Sequence, residues 1–86
     1  MQPTEPFWFK QRQAKLEPLG ENTFKVTAPN QGEAYLQIRP GENGRWAAAL
    51  RATPQGADLA ATGPEFEKVD EAWQAAFELY RRTLVV

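Results

Sequence analysis

The stretch Ala34-Tyr35-Leu36-Gln37-Ile38-Arg39-Pro40-Gly41-Glu42-Asn43-Gly44-Arg45-Trp46-Ala47-Ala48-Ala49-Leu50-Arg51 decides the fold. Residues 34 to 39 alternate apolar and polar, the period of a half-buried strand. The alternation resumes from Arg45 to Arg51, with Trp46, Ala48 and Leu50 on one face. Between the two runs, Pro40 to Gly44 supplies turn chemistry, with glycines where a hairpin needs unusual backbone angles. This pattern predicts an antiparallel hairpin whose inner face carries Leu36, Ile38, Trp46, Ala48 and Leu50.

Working outward, Phe24-Lys25-Val26-Thr27-Ala28 alternates in the same way, and Phe24 and Val26 join the inner face. Turn signals at Pro18 to Asn22, Pro29 to Gly32 and Pro54 to Gly56 separate the runs. A last short strand is expected at about Ala57 to Ala61, with Leu59 and Ala61 turned inward. From Val69 the period changes: Val69, Trp73, Ala76, Phe77, Tyr80 and Leu84 form one stripe of an amphipathic helix. Asp70 is its expected N-cap, and Arg81 and Arg82 fall in its last turn, where positive charge suits the carbonyl end.

The expected fold is α+β, an antiparallel meander of four to five strands with one carboxy-terminal helix packed on one face. A single domain over 7–86 follows a flexible tail over 1–6, which holds two prolines and no apolar period. Phe7-Trp8-Phe9 reads as a strand pairing with the sheet edge, which leaves at least one ring half exposed.

At 86 residues the chain holds one small core, and 42% hydrophobic and 24% charged residues are ordinary for a globular protein. The chain contains no Cys, His or Ser, so the usual thiolate, imidazole and hydroxyl nucleophiles and the best zinc ligands are missing. Glu65, Glu67, Asp70 and Glu71 cluster at the expected helix start, where carboxylates serve the helix dipole. The turn at Pro40 to Gly44 lacks the Lys-Ser or Lys-Thr ending of a phosphate loop. No enzymatic activity, metal or cofactor is therefore expected. No apolar run approaches the roughly 18 to 20 residues of a membrane-spanning helix, and the first residues lack signal-peptide character. The expectation is a cytoplasmic protein without membrane insertion.

Strand alternation assigns Lys25, Thr27, Tyr35, Gln37, Arg39, Arg45, Ala47, Ala49 and Arg51 to the face opposite the helix. Candidate binding residues are Lys25, Tyr35, Arg39, Arg45 and Arg51 on that face, together with Trp8 from the aromatic segment. Two functions suit them. One is a non-enzymatic adaptor or regulatory subunit that binds a protein partner through the open face and the aromatic segment. The other is nucleic-acid binding, with the cations on phosphates and Tyr35 stacking. The third reading is structural, with long Arg and Lys stems shielding an open sheet from water. A homodimer through open faces or edges is compatible with each.

The residues Tyr35, Ile38, Arg39, Gly44, Arg45, Trp46, Ala47, Ala48, Leu50 and Arg51 resemble the first hairpin of plant ethylene-response-factor DNA-binding domains. The similarity continues through Phe66, Glu71 and Ala72 and covers residues 35–80. The resemblance implies a three-stranded sheet on one helix, laid in the DNA major groove, with Arg39, Arg45 and Arg51 at positions that contact phosphates or bases. Leu36-Gln37 stands where the family has Arg-Gly, and Glu42-Asn43 where it has Pro-Trp. No Arg-aromatic pair survives near Asp58-Leu59, so most base-reading side chains of the family are gone. The run Pro6 to Arg12 ahead of the meander is also similar to small proteins of cyanobacteria, a likeness that implies no activity.

Overall fold

A computed structural model describes residues 3–20, 22–29, 31–53 and 55–85. Five strands, β1 (Lys15–Gly20), β2 (Thr23–Ala28), β3 (Gln31–Pro40), β4 (Trp46–Arg51) and β5 (Asp58–Ala61), form one sheet in the order β1-β2-β3-β4-β5. Every neighbouring pair is antiparallel, so the sheet is a simple meander. The carboxy-terminal helix α2 (Val69–Tyr80) lies across β3 and β4, which makes the domain α+β in two layers.

The central hairpin forms as the alternation dictates. Tyr35 pairs with Arg51, Leu36 with Leu50, Gln37 with Ala49 and Ile38 with Ala48, so on the core face apolar residues meet apolar ones, while the polar side chains fall on the opposite face. Gly44 sits at φ 79°, the left-handed region that a side chain disfavours, and closes the turn. Phe24, Val26, Leu36, Ile38, Ala48 and Leu50 are buried in one core with the helix stripe. Trp73 meets the Phe24 ring edge-on at 5.1 Å.

The aromatic segment is a helix and not the expected edge strand: α1 spans Phe7–Gln11. Pro6 precedes it in extended conformation, and its carbonyl accepts from the amides of Phe9 and Lys10 at 3.1 and 3.2 Å. The reason lies in the spacing of the rings. In a strand Phe7 and Phe9 share a face, whereas a helix turns Trp8 and Phe9 by about 100° from one another and lets both reach the core. Phe9 is fully buried, edge-on to Phe77 at 5.0 Å and to Tyr80 at 5.9 Å, and Trp8 stacks on Tyr80 at 6.2 Å. Burial of a ring like that of Phe9 stabilises the fold by roughly 1.5 to 3 kcal/mol. The helix layer therefore contains two helices. Gln13, at φ 58°, reverses the chain from α1 toward β1.

Within 1–6, Pro3 is buried and the Thr4 carbonyl accepts from Gln74 Nε2 at 2.9 Å. Met1 and Gln2 lie outside the described residues.

The fifth strand is β1, where the sequence shows turn signals. Pro18 is tolerated because β1 is an edge strand and needs fewer ladder donors. Only Leu16 of β1 is half buried, so the strand has little amphipathic signal. At the other edge the facing of β5 is the reverse of that expected. A register shift beside Arg51 sets Ala60 opposite Leu50, which leaves Leu59 and Ala61 exposed.

Helix α2 also starts earlier than expected. Lys68, not Asp70, is its N-cap, and the Lys68 amide donates to Glu71 Oε1 at 3.3 Å. Val69 stands in the exposed first turn and leaves the core stripe, which begins at Ala72 and Trp73. Arg81 caps the carboxy end, and the chain continues in a π-type turn, Arg81–Val85. Among the described residues no helix is long and apolar enough to cross a membrane.

Candidate functional site

The six candidate residues fall in three places. Lys25, Tyr35, Arg39 and Arg51 share the sheet face away from α2, because Lys25 pairs with Tyr35 and Tyr35 with Arg51 across the strands. Arg45 precedes β4, and its guanidinium lies 3.8 Å from Glu67 in the segment leading to α2. It therefore belongs with the helix start and not with the expected group. Trp8 sits in the helix layer on the other side of the sheet, stacked on Tyr80.

The sheet face holds carboxylates that the candidate set left out. Arg39 donates to both oxygens of Asp58, at 3.0 and 2.8 Å, and Arg51 Nε donates to Asp58 Oδ1 at 2.9 Å. Arg39 Nε also donates to Gln37 Oε1 at 2.9 Å, and Gln37 Nε2 to Thr23 Oγ1 at 3.3 Å. This row links β2, β3, β4 and β5. A second cluster lies beside it: Lys25 Nζ is 3.1 Å from Glu33 and 3.9 Å from Glu17, and the Tyr35 hydroxyl donates to Glu33 Oε2 at 3.0 Å.

Titration follows from these contacts. Hydrogen bonds from Arg39 and then Arg51 hold the Asp58 carboxyl down at about 2. Hydrogen bonds from Lys25 and Tyr35 lower Glu33, and the same Glu33 raises both Lys25 and Tyr35.

Lys25, Arg39 and Arg51 are thus interleaved with Glu17, Glu33 and Asp58, three cations with three carboxylates. The net charge of this network is zero. Tyr35 is only 8% exposed and Ala49 only 1%, so the polar side chains roof the middle of the face. A nucleic acid held by phosphate contacts needs cations that release counterions, and here each cation already faces a carboxylate. Glu33 was legible from the sequence, since it shares strand parity with Tyr35, Gln37 and Arg39. Asp58 reaches this face through the register shift that separates it from Ala60, and Glu17 required β1 to be seen.

The helix layer presents the other feature. Trp8 and Phe9 are drawn into the core side of α1, and Phe7 projects with 74% of its surface exposed. The sequence signal for it was the run of three aromatics, of which a short element buries only part. Among the described residues no group of three or more Asp or Glu side chains is arranged to hold a metal ion.

No family model, curated protein or solved structure matches the chain.

Proposed function

We propose that this chain is a non-enzymatic, cytoplasmic binding module that docks a protein partner through the α1 end of its helix layer. The observation that carries the reading is Phe7. Phe7 is 74% exposed, yet it stands on a helix pinned by Trp8 and Phe9, so the backbone that displays it is held in place. An exposed aromatic ring on a pinned backbone has only its own side-chain freedom to lose on binding, and such rings are frequent interface anchors. The absence of Cys, His and Ser from the sequence supports a binding role over a catalytic one.

The test is affinity capture from the native cell with the wild-type chain, Phe7→Ala and Arg39→Gln as baits. A partner retained by wild type and Arg39→Gln but lost with Phe7→Ala supports the reading. Identical capture by all three would refute it, provided that circular dichroism shows all three folded.

A further inference from the structure

We infer that the partner segment recognised at this end of the molecule is acidic, a short stretch of carboxylates with an apolar residue among them. The inference rests on the protein-binding reading above and adds the chemistry of the partner. Lys10 and Arg12 on and just after α1, Lys15 at the start of β1, and Arg81 and Arg82 in the π-type turn are all exposed. Two observations bring the α1 end and the π-type turn together: Trp8 of α1 stacks on Tyr80, which Arg81 and Arg82 follow directly, and the Tyr80 hydroxyl feels the charge of Arg12. Among the described residues Arg81 pairs with Glu78 at 3.3 Å, while Lys10, Arg12, Lys15 and Arg82 make no ion pair. Glu78, in the last turn of α2, is the carboxylate that Arg81 holds. This contrasts with the sheet face, where three cations are balanced by three carboxylates.

Charge complementarity selects the occupant, and the apolar surface narrows it. A helix that docks on a lipid surface presents a stripe of apolar side chains to the acyl boundary. Here Trp8 and Phe9 face the core and a single ring, Phe7, is offered. A long polyanion is also disfavoured. Glu65, Glu67, Asp70 and Glu71 crowd the far end of α2, about 18 Å away along a helix of twelve residues. A short acidic segment with one apolar side chain can occupy the basic end, set that side chain against Phe7 and stay clear of the acidic end.

The experiment is an amide chemical-shift titration of the full labelled chain with a sixteen-residue probe peptide of Glu and Asp containing one central Leu. Phosphatidylserine-containing vesicles and a short DNA duplex are titrated in parallel. The expected result is that the peptide shifts amides of residues 7 to 15 and 80 to 84 and leaves 35 to 39 still. Arg81→Glu combined with Arg82→Glu should weaken it about tenfold or more, as loss of a charged anchor does, with weakening also from added salt. All substituted residues are exposed, so the variants should melt like wild type. No shift at millimolar peptide, shifts confined to the sheet face, or response to vesicles or duplex alone would overturn the acidic-segment inference. Peptide binding at this site that is indifferent to Phe7→Ala would instead remove the aromatic anchor of the proposed function and leave the charge recognition standing.

Discussion

Arg39 grips Asp58 through both carboxylate oxygens, at 3.0 and 2.8 Å, although nineteen residues separate them in the chain. The pair ties β3 to the short edge strand β5 across β4, and Arg51 on β4 shares the same carboxylate.

Replacement of Asp58 by Asn removes the charge that both guanidiniums face. The Asp58 side chain is 30% exposed, so solvent screening holds the loss to about 1 to 2 kcal/mol. Urea denaturation should show a lower midpoint with an unchanged slope. A wild-type midpoint would mean that the network contributes nothing to stability.

The same carboxyl gives an acid dependence. Its value falls from 3.8 to about 2 on folding, so the unfolded chain binds the proton first as pH drops. The stabilisation is complete above about pH 4, is lost as pH falls through about 2, and is absent below it. Asp58→Asn should flatten this part of the stability curve.

At alkaline pH Tyr80 acts in the opposite direction. Burial raises its phenol above 10.0, partly offset by Arg12, so the folded chain keeps the proton longer. Stability should be full below about pH 10 and fall as pH rises through the folded value. Tyr35, raised by its bond to Glu33, contributes in the same direction, and Tyr80→Phe should reduce the alkaline loss.

Phe7 and Phe9 form a matched comparison. Phe9→Ala empties a fully buried site and should cost about 3 to 5 kcal/mol, whereas Phe7→Ala, at 74% exposure, should stay within about 0.5 kcal/mol of wild type. Equal melting of the two variants would contradict the helical placement of α1.

At Gly44, φ 79° makes any side chain strained, and Gly44→Ala should cost about 1 kcal/mol. Gly41→Ala should also destabilise, for a steric reason: a Cβ there would meet Pro64 Cβ at 2.5 Å. Thermal melts of both variants check the turn.

The sheet interior and α2 were legible because their apolar periods are long and unbroken. Leu36, Ile38, Ala48 and Leu50 could satisfy no other arrangement, and Trp73, Ala76, Phe77 and Tyr80 fit only a helix. The edges were not legible, since Pro18 masks β1 and one bulge beside Arg51 reverses β5. Three adjacent aromatics carry no period, so only the packing of Trp8 and Phe9 against α2 distinguishes a helix from a strand. On the open face, parity placed Lys25, Arg39 and Arg51 but misplaced Arg45, and it did not show the neutralisation, which depends on pairings such as Arg39 with Asp58 that sequence distance hides.

The stacking of Trp8 on Tyr80 has a kinetic consequence. Each strand of the meander pairs with its sequence neighbour, so the sheet can assemble by closing short loops, one hairpin at a time. Docking of α1 on α2 instead joins the two ends of the chain, a loop closure of some seventy residues whose entropy is recovered only after the rest is in place. We therefore expect Trp8→Ala to accelerate unfolding and leave the refolding rate nearly unchanged in stopped-flow measurements, with the two chain ends closing last and opening first.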